Sequence, residues 1–348
     1  MTRILAIDLG KFKSVSCLYH NEDAHAEYRT VSTTPSAIHD LLVEVEPDRV
    51  VIEVCGISGW IHDLAQALEF EIEVVDTRHE AWRWNKVKRK TDREDALKLA
   101  RLSAMHQVST VHVPEHSVRQ WKSLITYRHT LVDRRTAIKN TIRALLDVQG
   151  LRMPPGAKGW SGESIARLQA LSRLVAECTV DELWRGQLHT ELRALDHVNT
   201  LLADIEQSLD RLVAGDERVR RLKTIPGVGN RLAELVVATL DCPERFRSSR
   251  EVGAYGGLVP RQFESGTMSR AGRITKQGPG LLRRVLVQVA WGMERRSPRV
   301  KALFERISGG QKSGRKKAAV AIARKILIWC WAMLRDGTTW RDLEVTAS

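Results

Sequence analysis

Four carboxylates in the first hundred residues are spaced for metal chemistry. Asp8 closes the apolar run Ile4-Leu5-Ala6-Ile7, Glu53 closes Val50-Val51-Ile52, and Asp92 and Asp95 stand where a helix opens. Positions three apart on a helix share a face, so Asp92 and Asp95 can aim at one spot. Carboxylates gathered without a cation repel, and divalent metals are what normally neutralise them. Magnesium takes oxygen ligands, and two ions about 3.5–4 Å apart would hold the attacking and leaving oxygens of a phosphodiester. Taken singly, Asp92 is an ordinary residue favoured by the helix dipole and Glu53 a solvated strand end. Together the four point to phosphoryl transfer on two Mg2+ ions.

A second set lies in the last third. Leu222-Lys223-Thr224-Ile225-Pro226-Gly227-Val228-Gly229-Asn230, followed by an apolar helix, has the form of a helix-hairpin-helix. Gly227 and Gly229 would let a phosphate approach the backbone, and the amides at the second helix's start would bind the anion; a plain structural turn is the competing reading. Downstream, Gly253 to Gly257, Arg261, Ser265, Thr267, Ser269, Arg270, Gly272, Arg273, Lys276, Gly278 and Gly280 read as a glycine-, serine- and arginine-rich loop before a helix carrying Arg283-Arg284. A hydroxyl held among cations beside a metal-bound phosphate is an activated nucleophile. Residue chemistry alone does not choose between Ser265, Thr267 and Ser269. Gly227, Gly229, Arg261, Arg270, Arg273, Lys276, Arg283 and Arg284 are the candidate nucleic-acid contacts.

The elements that must position the first set are legible in the pattern. Strands are expected at 3–9, 14–19 and 26–31, a helix from Thr34 or Pro35 to about Glu46, a strand at 50–53, a helix at 60–69, a strand at 72–75 and a helix from about Asp92. This order matches a ribonuclease-H-like α/β layout. Asp8-Leu9-Gly10 with Ser14 also resembles the first phosphate loop of actin-like ATPases, but no second Asp-x-Gly loop or adenosine segment follows.

Between the two sets, Val118 to Leu146 forms an amphipathic helix whose polar face is rich in Arg and Lys. Gly150 to Gly162 is a loop and the clearest boundary. Thr179 with Glu182 forms a capping-box pattern. Leu188, Leu195, Leu202 and Leu209 then recur every seven positions, an a/d seam expected to form a coiled-coil hairpin or a dimer contact. The expected division is 1–150 for the metal-holding domain, 160–215 for the helical coiled-coil region and 216–348 for a mainly α domain.

Composition sharpens the division. The 348 residues carry a net charge of +13, but residues 1–100 hold 13 basic and 18 acidic side chains while residues 217–348 hold 27 and 11. An acidic front that holds cations and a basic back that holds a polyanion are the expected pair. Five cysteines, none closer than 38 positions to the next, suit a reducing cytoplasm and no zinc site. The start, MTRILAID, enters a strand pattern directly, so no signal segment is expected, and Ala318–Leu334 is interrupted by Arg324 and Lys325, so no membrane span is expected either.

The Asp-terminated first strand, Ile52-Glu53, Lys90-Thr91-Asp92-Arg93-Glu94-Asp95-Ala96, Ile225-Pro226-Gly227-Val228-Gly229 and Phe263-Glu264-Ser265-Gly266, in that order, resemble the DEDD transposases of the insertion-sequence-110 family, whose relatives include Piv-type invertases. The resemblance covers nearly the whole chain; Phe263 stands where many relatives have Tyr. It implies a RuvC-like (RNase H-like) N-terminal domain joined through a coiled coil to a C-terminal transposase domain. It also implies magnesium on Asp8, Glu53, Asp92 and Asp95, and Ser265 as the nucleophile that becomes linked to cleaved DNA. The partners it implies are DNA, a structured noncoding (bridge) RNA that pairs with donor and target, and a second copy in a dimer or dimer of dimers, in the bacterial cytoplasm at the nucleoid. A Holliday-junction-type nuclease using the same carboxylates, and a non-catalytic nucleic-acid-binding protein, are the alternatives.

Overall fold

A computed structural model describes residues 2–76, 91–265 and 268–340, with backbone alone over 263–271. The chain divides into two compact units, 1–117 and 118–348.

In the first unit, β1 (Arg3–Asp8), β2 (Lys13–His20) and β3 (Ala26–Ser32) form an antiparallel meander. Helix α1 (Pro35–Val45) leads to β4 (Arg49–Glu53), and α2 (Ser58–Ala67) to β5 (Glu71–Val75). β4 lies parallel to β1 and β5 parallel to β4, giving the order β3-β2-β1-β4-β5. This is the RNase H-like arrangement expected from the element order. Parallel neighbours need a crossover helix, which is why β4 and β5, unlike β1 to β3, are separated by helices. Thr34 caps α1 by accepting the Ala37 N–H at 3.3 Å, and Pro35 fits the first turn because its missing donor has no helical partner there.

Strand alternation sends the central strands' side chains to two cores. Leu5, Ile7, Val50, Ile52 and Val74 pack with Ile38, Leu42 and Ile61 of α1 and α2. Ile4, Ala6, Val51 and Val75 pack with Ala96, Leu99 and Ala100 of α3 (Asp92–Ala104) on the other face. Burial on both faces explains why β1 and β4 read as unbroken apolar runs.

The second unit is mainly helical. The long helices α4 (His116–Val148) and α6 (Leu183–Val213) run antiparallel: Ile142 and Leu146 pack with Leu188 and Leu195, Leu131 with Val198 and Leu202, and Ile125 clusters with Leu209. All four heptad leucines are buried, so α4 of the same chain covers that seam, whereas Leu212 at its end is 58% exposed. α6 starts three residues later than a helix capped at Thr179 would. The Thr179 hydroxyl lies 3.4 Å from the Glu182 carboxylate rather than on a backbone N–H, and Arg173 also engages that carboxylate.

Around them lie α5 (Gly162–Leu171), α7 (Glu217–Leu222), α8 (Asn230–Leu240), α9 (Ser249–Tyr255), α10 (Gly280–Met293), α11 (Pro298–Ser308) and α12 (Arg315–Asp336). The apolar run at 318–334 is the buried centre of α12, with the Trp331 indole donating to the Pro243 carbonyl at 2.8 Å. Among the described residues, no helix is long and apolar enough to cross a membrane.

The stretch read as a glycine- and arginine-rich loop is different in the structure. Pro260–Ser265 (β6) and Met268–Ile274 (β7) form an antiparallel hairpin, and Gly253 lies inside α9. Paired backbone satisfies itself without an apolar face, so a polar hairpin leaves no hydrophobic alternation to read.

Candidate active site

The first unit builds its site from register. Ile7 pairs with Ile52 across parallel strands, so Asp8 and Glu53, one position on, stand level at the carboxyl edge of adjacent strands. Neighbouring strands lie about 4.8 Å apart. Alternation gives Asp8 the phase of Ile4 and Ala6, and Glu53 the phase of Val51, which is the face covered by α3. Both carboxylates are half-buried.

Helix α3 brings the other two. Thr91 caps it, accepting the Glu94 N–H at 3.3 Å, and Asp92, Glu94 and Asp95 fill its first turn, where the helix dipole favours negative charge. Asp92 and Asp95 continue the stripe of Ala96 and Leu99 that faces the sheet; Asp95 is half-buried and Asp92 exposed. One turn on, burial depresses the Lys98 ammonium below its ordinary range and the Asp95 charge partly offsets this. The four predicted carboxylates thus lie on one side of one sheet. Their donor set is all carboxylate oxygen, which suits a hard divalent cation.

The loop leaving Asp8 is fixed from behind. The Thr33 hydroxyl donates to the Gly10 carbonyl at 2.9 Å and lies 2.8 Å from the buried Ser14 hydroxyl. Gly10 is required by space, since a Cβ there would stand 2.2 Å from the Lys13 carbonyl oxygen. One carboxylate went unnoticed in the sequence: half-buried Asp76 follows β5, its N–H donating to the Ser109 carbonyl at 3.0 Å. It follows Ile72-Glu73-Val74-Val75 much as Asp8 follows Ile4–Ile7, although Glu73 interrupts the apolar run and weakens that signal.

In the second unit, Ser265 pairs with Met268 as the last residue of β6, and Ser269 pairs with Glu264. Gly266 and the candidate Thr267 lie outside the described residues, and Arg270 is described by its backbone in β7. Arg261 on β6, Arg273 on β7 and Lys276 beyond it are exposed. The other two arginines are engaged. Arg283 donates to the carbonyls of Gly278 at 2.8 Å and Gly256 at 3.3 Å, tying together the segments at the hairpin's base, and Arg284 forms a two-pronged pair with Asp133 of α4 at 3.0 and 3.2 Å.

Gly227 and Gly229 lie in the turn between α7 and α8. Val228 N–H donates to the Ile225 carbonyl at 3.0 Å with Pro226 and Gly227 between them, and Gly227 has φ +87°, the left-handed value this turn needs at that place. Arg231 at the start of α8 is held by Asp210 at 2.7 Å and Glu234 at 2.9 Å.

The family model described as "Transposase" of the DEDD IS110 type matches residues 5–149, and that described as "Transposase IS116/IS110/IS902 family" matches residues 219–305. The chain belongs to the IS110 family of DEDD transposases.

This transposase is 28% identical to the transposase for insertion sequence element IS1111A of Coxiella burnetii, over 97% of this chain and 91% of that protein. It is 29% identical to a probable family 20 transposase of Pseudomonas aeruginosa, over 87% and 89% of the two chains. Among solved structures, T. thermophilus RuvC in complex with a Holliday junction substrate matches 32% of this chain and all of that one at 11% identity, with a TM-score of 0.25. The strand order β3-β2-β1-β4-β5 gives the first unit of this transposase its RNase H-like fold.

Proposed function

We propose that this transposase cuts and rejoins DNA strands at the ends of an insertion sequence by transesterification through a covalent serine intermediate. The observation that carries the reading is the register that sets Asp8 level with Glu53 on the sheet face covered by the Asp92- and Asp95-bearing helix. Asp8, Glu53, Asp92 and Asp95 would hold Mg2+, as two ions. When bound, these would supply charge stabilisation at the scissile phosphate. Ser265 would form one phosphoester bond as a DNA phosphoester bond breaks; its hydroxyl proton leaves and the departing sugar oxygen gains one. The bond is conserved, so a strand can be rejoined to a new partner without ATP.

Gly227, Gly229, Arg261, Arg270, Arg273 and Lys276 would track the phosphate backbone, while Arg283 and Arg284 serve by fixing the elements that carry the site. The family resemblance supports a structured RNA as guide, a dimer or dimer of dimers, the three-part division at 1–150, 160–215 and 216–348, and a place of action at the bacterial nucleoid. The carboxylates and Ser265 belong to different compact units. The mechanism requires both at one phosphate, within a protomer or between protomers.

The test incubates the chain with element-end DNA, Mg2+ and the neighbouring noncoding RNA, and resolves products on a denaturing gel. The expected result is a protein-linked DNA strand lost in both Ser265→Ala and Asp8→Ala. Cleavage without an adduct would identify a junction-type nuclease, and binding without cleavage a non-catalytic protein. Full strand exchange by Ser265→Ala would remove the serine assignment.

A further inference from the structure

The loop joining β1 to β2 presents an aromatic ring between two cations. Lys11, Phe12 and Lys13 are all exposed, and Phe12 keeps 75% of its surface open to solvent, against 42% for Tyr127. Leaving such a ring in water forgoes the favourable free energy of burying it. Scattered apolar residues on a surface need no explanation, but this one is held out by a built loop. Thr33 N–H donates to the Phe12 carbonyl at 2.9 Å, the Thr33 hydroxyl donates to the Gly10 carbonyl at 2.9 Å, and the fully buried Ser14 hydroxyl lies 2.8 Å from that of Thr33. Gly10, seated against the Lys13 carbonyl, closes the bend. The Lys11 ammonium sits 5.1 Å from the ring centroid.

Its place gives the ring its use. The loop leaves β1 directly after Asp8, at the carboxylate edge of the sheet. At about 3.3–3.6 Å per residue, Phe12 lies within roughly 14 Å of Asp8, about four nucleotides at the 3.4 Å spacing of a stacked strand. An aromatic face stacks on any base, and neighbouring cations hold the flanking phosphates. A base paired inside a duplex has both faces occupied, so an exposed ring selects an unpaired one.

We propose that Phe12, flanked by Lys11 and Lys13, is a stacking platform for an unpaired base of the DNA strand cut at the carboxylate site. The proposal rests on the strand-cutting reading above. Its recognition is independent of sequence, and its ligand is single-stranded DNA beside the scissile phosphate.

The test measures binding of the full chain to three probes of one sequence: a 20-nucleotide single-stranded DNA, the fully paired duplex and a single-stranded RNA. Phe12→Ala should weaken single-stranded DNA binding about 5- to 150-fold, the loss of roughly 1–3 kcal/mol of stacking. It should leave duplex binding within about twofold, and Phe12→Trp should restore the wild-type value. The thermal unfolding of both variants should match wild type, because so exposed a ring supports no core. Undiminished single-strand binding, equal losses on single strand and duplex, a loss confined to RNA, failure of Phe12→Trp, or a lowered unfolding temperature would each overturn the proposal. If wild type yields the serine-linked adduct while Phe12→Ala binds single strands normally, the platform alone fails; if wild type binds neither DNA, the strand-cutting reading falls with it.

Discussion

Gly10→Ala is a small change with a large expected consequence at the carboxylates. The added Cβ would stand 2.2 Å from the Lys13 carbonyl oxygen, about 1 Å inside the closest real contact, and that neighbour is backbone. The loop cannot relax freely, because Thr33 holds it at the carbonyls of Gly10 and Phe12. The displacement of about 1 Å is therefore passed toward β1, where Asp8 lies two positions away. Overpacking of this kind costs roughly 1–3 kcal/mol of stability, and a 1 Å misplacement of reacting groups costs about 10²-fold in rate. The assay is the initial rate of Mg2+-dependent adduct formation, at a temperature where thermal unfolding shows both proteins folded. Gly56→Ala is the control: it follows Glu53 in the equivalent loop after β4, its Cβ would meet nothing within 4 Å, and its rate should stay within about twofold. A Gly10→Ala rate equal to that of Gly56→Ala would refute the claim that this loop fixes Asp8.

Two further predictions concern the second unit. Burial raises the Glu234 carboxyl above its ordinary 4.5, against the opposing pull of Arg231. A raised carboxyl contributes stability below pH 4.5 that is lost as pH climbs through the folded value, so wild type should lose ground to Glu234→Gln in urea unfolding between pH 4.5 and 8; a constant difference would mean Glu234 ionises normally. If six to ten phosphates are neutralised by the basic last third, DNA affinity should fall by about 10³–10⁵ between 50 and 200 mM salt in anisotropy titrations, whereas a flat response would leave the charge a solubility feature.

The first unit was legible because its strands are short apolar runs ended by charge, and a run buried on both faces announces itself. The eight elements described in it fall within a few residues of their expected bounds, and the carboxylates that end those runs are visible for the same reason. Asp76 follows β5 in a similar way, but Glu73 breaks the apolar run before it, so its signal is weaker. The second unit hides more. The seven-residue leucine period shows that α6 is covered but not by what, and only the packing against Leu131, Ile142 and Leu146 names α4 as the cover. The β6–β7 hairpin is polar, so it has no period to find. The roles of Arg283 and Arg284 were unreadable because a guanidinium in sequence carries no sign of whether a carbonyl, a carboxylate or a phosphate will meet it.

Internal pairing changes what the net charge of the last third means. Arg218 on Asp216, Arg231 on Asp210 and Glu234, and Arg315 on Glu294 are paired within the unit, and Arg283 is committed to backbone carbonyls. Such arginines set the positions of helices and turns; moving one to a phosphate would strand its carboxylate partner, at a cost comparable to what the new phosphate pair would contribute. The cations able to meet a polyanion without that exchange include Arg261, Arg273 and Lys276, which are exposed and lie at the base of the β6–β7 hairpin, whose first strand ends at Ser265. Arg261, Arg273 and the proposed nucleophile Ser265 therefore belong to one hairpin. On the proposed reading, an anion drawn to those cations would be held on the element that carries the serine, and the acidic first unit, which would repel the same anion, would become compatible with it once cations sat on Asp8, Glu53, Asp92 and Asp95. Metal binding and DNA binding at the first unit would then be one event, and the prediction is that DNA engages that unit only in the presence of divalent cations.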